Sequence, residues 1–145
     1  MDRINLHATA LVLGARGLLI FGASGAGKSS LALSLLDLYA ARGTFACLVS
    51  DDRVWLCTCG GRLVAEAPEA IAGLAEIRGF GPAPIGHEPR AVVDRAVALV
   101  DPASASRHRD DACEILLGVS VPRLDLPAGE GAAAARAIAA WLELA

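Results

Sequence analysis

Leu18-Leu19-Ile20-Phe21-Gly22-Ala23-Ser24-Gly25-Ala26-Gly27-Lys28-Ser29-Ser30-Leu31 decides how this chain is read. Four apolar residues suited to a buried strand run straight into Gly22 to Ser29, a stretch that fits G-x-x-x-x-G-K-[ST] at every fixed position. Beyond it Leu31, Leu33, Leu35, Leu36 and Leu38 fall in a segment of helical character. Strand, loop, helix is the order a phosphate-binding loop requires. Its glycines let successive N–H groups turn inward towards phosphate oxygens, and the following helix adds its positive N-terminal end. Gly22, Ala23, Ser24, Gly25, Ala26, Gly27, Lys28 and Ser29 are therefore the expected nucleotide-phosphate site. Lys28 would reach the β- and γ-phosphates, and the Ser29 hydroxyl would ligate the Mg²⁺ that bridges them.

Composition supports this independently of the motif. Of the thirteen Lys and Arg residues Lys28 is the only lysine, so a chain that otherwise uses arginine keeps one compact ammonium where a point charge must fit beside phosphates. A length of 145 residues with 54% hydrophobic content predicts one α/β domain, residues 1–145, with a proper core. No apolar run is long enough to cross a bilayer, and Met1-Asp2-Arg3 lacks a signal-peptide pattern, so the expected location is the cytoplasm, with no membrane partner. A net charge of -3 with scattered arginines leaves no electrostatic footprint for nucleic acid. Cys47, Cys57, Cys59 and Cys113 lack zinc spacing and read as reduced core thiols.

Upstream of the loop, Ile4, Leu6, Ala8, Ala10 and Val12 alternate as in a half-buried strand, and Gly14-Ala15-Arg16-Gly17 predicts a hairpin into the strand 18–21. The register decides whether His7 lies at the loop end of the sheet. On its own, a lone histidine on a strand reads as structural. Downstream, Arg42-Gly43 ends the helix near Ala41. The run Phe45 to Ser50 then leads into Asp51-Asp52, the form of a strand whose terminal acid holds Mg²⁺. Ala96 to Val100 followed by Asp101 is a rival of the same form. The pair has the advantage that two neighbouring carboxylates can divide metal binding from proton acceptance.

Gly60-Gly61 predicts a second hairpin. Residues 79–90, rich in glycine and proline, predict a long irregular loop. A strand is expected over 91–100, a last strand at the sheet edge over 119–126 because of Pro122, and a closing Ala-rich helix from about Gly131, anchored by Ile138, Trp141 and Leu142.

Taken together, His7, the phosphate-binding loop, Leu48-Val49-Ser50-Asp51-Asp52-Arg53-Val54 and Glu76-Ile77-Arg78-Gly79-Phe80-Gly81 resemble the catalytic domain of HPr kinase/phosphorylase. The resemblance covers most of the chain in order. It implies a single P-loop kinase domain of α/β class, with a mixed sheet, β-hairpins and flanking helices, in a short form without the family's separate N-terminal domain. It implies ATP and Mg²⁺ as cofactors, with Ser29 and Glu76 as metal ligands. Catalytic roles are implied for His7, Lys28, Asp51, Asp52 and Arg78, and Asp52 would take the proton of a serine on an HPr-like phosphocarrier protein. Asp51 would support the metal or orient its neighbour. The implied assembly is a homo-oligomer, a hexamer.

Near the C-terminus Leu126-Pro127-Ala128-Gly129-Glu130-Gly131 departs from the family's Gly-Arg-Asn loop, which is associated with dephosphorylation. Glu130 stands where an arginine is expected, which points to the kinase direction. Arg107 and Arg109 are both candidates for a further family arginine. A small-molecule kinase and a nucleotide-binding module without kinase chemistry are the alternatives. A guanine-specific switch is excluded, since its N-K-x-D motif needs a second lysine.

Overall fold

The computed structural model describes residues 2–105 and 112–143; Arg107 and Arg109 lie outside them. The expected hairpin before the loop is present as β2 (Ala8–Leu13) and β3 (Arg16–Phe21), paired antiparallel from Ala8↔Phe21 to Leu13↔Arg16. Gly14 turns it at φ +63°, a left-handed value that glycine adopts without penalty. This register answers the question left by the sequence: His7 precedes Ala8, so it sits beside the start of the phosphate-binding loop.

The helix α1 (Lys28–Ala41) follows the loop, and β4 (Ala46–Ser50) returns to pair antiparallel with β2. On the other side of β3 lies β10 (Arg95–Val100), parallel to it, then β12 (Val119–Pro127), parallel to β10, then β11 (Ala112–Leu116). These six strands form one mixed sheet in the order β11-β12-β10-β3-β2-β4. A second, antiparallel sheet joins β1 (Arg3–Leu6), β5 (Val54–Cys59), β6 (Arg62–Glu66) and β9 (Arg90–Val92) in that order. A small hairpin pairs β7 (Leu74–Ile77) with β8 (Gly81–Pro84), and α2 (Gly131–Glu143) closes the described chain.

Alternation along the strands divides the core in two. Leu11, Leu13, Leu18 and Ile20 pack with Leu31 and Leu35 of α1 and with Ile138 and Leu142 of α2. Ala8, Ala10, Leu19 and Val49 face the other way, against Val54, Leu56, Leu63 and Ala65 of the antiparallel sheet. The mixed sheet is thus sandwiched between helices and a second sheet, and each fully buried Leu or Ile contributes about 1.5–3 kcal/mol.

Several expectations are corrected. The strand read over residues 4–12 is two strands, because at His7 the chain leaves one sheet and enters the other. The strand over 91–100 is divided in the same way at Val93-Asp94. There the Asp94 N–H donates to Gly17 O at 2.8 Å, and the Gly17 N–H donates to the Asp94 carboxylate at 3.0 Å. Residues 79–90 are not wholly irregular. β8 carries Pro82 and Pro84, which is tolerated because β8 has a single strand partner.

β12 is not an edge strand. Its first half pairs with β11 and its second half with β10, so among the described residues Pro122 has a strand neighbour on one side. The four cysteines are free, yet Cys59 and Cys113 are exposed and Cys47 and Cys57 only half-buried. They are not core thiols: Leu56 and Val54 take the inward positions of β5, which leaves the alternate positions Cys57 and Cys59 on the outer face.

Candidate active site

The phosphate-binding loop leaves β3 at Gly22 and turns through Gly25 and Gly27, at φ +84° and +96°. A Cβ would meet nothing within 4 Å at either position, so the backbone angle and not space requires glycine there. Gly27 O accepts from the Leu31 N–H at 2.9 Å, which starts α1. Lys28 is buried, with its ammonium folded back over the loop and donating to Gly22 O at 2.8 Å and Ala23 O at 3.3 Å.

Asp51 directly follows β4 and is the hub of the site. Its Oδ1 accepts from Ser29 Oγ at 2.6 Å and from Thr9 Oγ1 at 3.1 Å, and its Oδ2 accepts from the Glu76 N–H at 2.8 Å. One carboxylate therefore ties together β2, α1, β4 and β7. It is only 7% exposed, and three donors offset what desolvating the charge costs.

Asp52 differs in every respect. It adopts φ +66°, a left-handed conformation that Asp tolerates better than most residues and that often marks functional sites. Its side chain is 57% exposed, with Oδ1 at 2.6 Å from His7 Nε2 and 3.6 Å from Lys28 Nζ. The β2–β4 register shifts between Ala10 and Leu11, next to Ser50, the residue that precedes the two acids.

A cavity of about 600 Å³ opens over this group, large enough for a nucleotide. Ser24, Gly25, Lys28, Ser29, Asp51 and Asp52 line it together with Leu74, Glu76, Arg78 and Pro82. The structure thus links the two expected acids to His7, Lys28 and Ser29 by direct contacts, with Glu76 and Arg78 lining the same cavity. Asp101, the rival acid, is exposed and caps a short 3-10 turn by accepting from the Ala103 N–H at 2.8 Å. Glu130 lines a smaller cavity of about 120 Å³ behind the loop, shared with Arg78.

Sequence reasoning missed Thr9. It is fully buried, and its Oγ1 both donates to Asp51 and accepts from the Asp52 N–H at 3.1 Å. The signal was one hydroxyl residue in an otherwise apolar strand.

The donor set suits a hard cation. Ser29 Oγ and Asp51 Oδ1 are adjacent and the Glu76 side chain lies on the same cavity, so oxygen alone is offered, as Mg²⁺ prefers. Among the described residues no three His, Cys, Asp or Glu side chains cluster as an all-protein metal cage. That is the usual situation for Mg²⁺ shared with substrate phosphates.

The chain and its fold are similar to known proteins. Residues 1–87 match the family model of the HPr Serine kinase C-terminal domain. The HPr kinase/phosphorylase of Caldicellulosiruptor bescii is 44% identical over 80 residues, covering 54% of this chain and 24% of that protein. That of Brevibacillus brevis is 50% identical over 66 residues, 45% of this chain and 19% of that protein. The matches therefore span about a quarter or less of those relatives. The solved structure of the Hpr(Ser) kinase/phosphatase from Coxiella burnetii superposes with a TM-score of 0.82 at 27% identity, over 97% of this chain and 88% of that one.

Proposed function

The chain belongs to the HPr serine kinase C-terminal domain family, and on that premise we propose that it transfers the γ-phosphoryl group of ATP to a serine of an HPr-like phosphocarrier protein. The observation that carries this reading is Asp52, an exposed carboxylate whose Oδ1 lies 3.6 Å from the ammonium of the phosphate-binding loop. Asp52 lines the cavity that an acceptor would enter.

In this reading Lys28 swings from its loop carbonyls onto the β- and γ-phosphates, and the loop N–H groups hold the chain of phosphates in line. Asp52 accepts the proton of the seryl hydroxyl as its oxygen bonds to the γ-phosphorus and the bond to the bridging oxygen breaks, which releases ADP. His7 holds Asp52 Oδ1 and leaves the second oxygen for that proton. Arg78, which lines the same cavity, would offset charge on the transferred group. Ser29, Asp51 and Glu76 would hold Mg²⁺, which when bound neutralises charge on the phosphates. Such a reaction asks the protein for positioning and charge, both of which this site supplies.

Glu130 supports the forward direction, because a carboxylate near Arg78 opposes the entry of inorganic phosphate. Assembly into a homo-oligomer belongs to the same reading. The test is to incubate the protein with ATP labelled on its γ-phosphate and either HPr or a panel of hydroxylated metabolites. Label on HPr alone is expected; label on a metabolite and none on HPr would replace this reading with a small-molecule kinase.

A further inference from the structure

We propose that Thr9 is a positioning residue of the phosphoryl-transfer site, setting both acids through one buried hydroxyl; this rests on the kinase reading above. Thr9 is 0% exposed. Its Oγ1 donates its proton to Asp51 Oδ1 and presents a lone pair to the Asp52 N–H, each at 3.1 Å. The two acids have opposite surroundings, one buried under three donors and the other open to the cavity. Among the described residues Thr9 is the side chain hydrogen-bonded to both.

Two features make this more than satisfaction of a buried hydroxyl. First, the bond to the Asp52 N–H fixes the residue at φ +66°, in a conformation that a non-glycine residue leaves readily when nothing holds it. That angle aims the Asp52 side chain at His7 and Lys28. Second, Asp51 Oδ1 is shared between Thr9 and Ser29, so the threonine directs the oxygen that the loop serine faces. The nearby β2–β4 bulge follows Ala10↔Ser50, one step from Thr9, so the irregularity of the sheet and the hydroxyl act at the same place.

Valine has the shape of threonine without the hydroxyl. In Thr9→Val the Asp51 carboxylate loses a donor and the Asp52 N–H loses its acceptor, while the apolar packing of β2 is kept. Small displacements of reacting groups lower rate more than binding. Thr9→Val should therefore reduce kcat for transfer to HPr by about 10- to 100-fold. KM for ATP should change by less than kcat, because Thr9 reaches the phosphate-binding loop only through Asp51 and Ser29. Thr9→Ser keeps the hydroxyl and should retain turnover within about threefold. Thr9→Cys, a far weaker hydrogen-bonding partner, replaces the valine variant if that one does not fold.

A purely structural threonine would show a lowered melting temperature in Thr9→Val with wild-type turnover per folded molecule, and that result overturns the proposal. Amide hydrogen exchange at Asp52, followed by NMR in the nucleotide-free protein, separates this from failure of the kinase reading. If the wild type transfers nothing to HPr, that reading falls and the exchange rate decides. Exchange faster by about fivefold or more in Thr9→Val, and not in Thr9→Ser, supports the positioning role. Equal rates in all three proteins refute it.

Discussion

His7 Nε2 lies 2.6 Å from Asp52 Oδ1, although the two residues are 45 positions apart. The contact forms because His7 occupies the break between β1 and β2 while Asp52 turns left-handed just past β4, the neighbour of β2. In the proposed reaction the histidine orients the acid and touches no phosphate. His7→Ala should lower turnover with HPr by about 10- to 100-fold, the cost of a misplaced reacting group. ATP affinity, measured by calorimetry, should stay near wild type; a loss of affinity in proportion to rate would place His7 at the nucleotide instead.

Lys28 should separate folding from function. Its ammonium is buried but satisfied by Gly22 O and Ala23 O, so Lys28→Met keeps the stem and removes the charge. Circular dichroism should show a folded protein, while phosphoryl transfer falls below detection and ATP binding weakens. Near-normal transfer would remove the loop from the mechanism.

Gly17 tests the fold independently of catalysis. A Cβ there would lie 1.7 Å from Val92 O, backbone that cannot step aside because Asp94 is hydrogen-bonded to Gly17 at both its N–H and its carboxylate. Gly17→Ala should cost about 3 kcal/mol or more, the upper range for overpacking. Thermal unfolding should shift down by about 10 °C in a chain of this size. An unchanged melting temperature would mean that the two sheets do not meet at this crossing.

Glu130 bears on direction. Offered serine-phosphorylated HPr, inorganic phosphate and Mg²⁺, the wild type should release pyrophosphate far more slowly than it runs the kinase reaction. Glu130→Arg should raise that release by about tenfold, as repulsion becomes attraction in a partly closed site. Efficient release by the wild type would show that phosphate is held elsewhere.

The loop, the hairpin before it and both helices were legible because each follows from local rules: glycines where φ is positive, apolar spacing, a glycine past the helix end. The acidic pair was legible as a strand-end motif, but its division of labour was not, since Asp51 is buried by donors from Thr9, Ser29 and Glu76, which are remote in sequence. His7 shows the same limit: its role depends on the β2–β3 register. The division at His7 was invisible because alternation continues through the break while the chain changes sheets, and that at Val93-Asp94 because apolar residues resume directly after Asp94-Arg95. β12 misled because one proline marks an edge only over the residues it touches.

Asp52 is the proposed base for transfer to HPr. Its most direct test is the single-turnover rate of phosphoserine formation on HPr by wild type, Asp52→Asn and Asp101→Asn, each saturated with Mg²⁺ and ATP. Asp52→Asn should slow the step by about a hundredfold or more, the scale of positioned general-base catalysis, with ATP affinity retained. Asp101→Asn, which alters only the cap of a surface turn, should react at the wild-type rate. A fast Asp52→Asn enzyme beside a slow Asp101→Asn enzyme would contradict the account and move the chemistry to the end of β10.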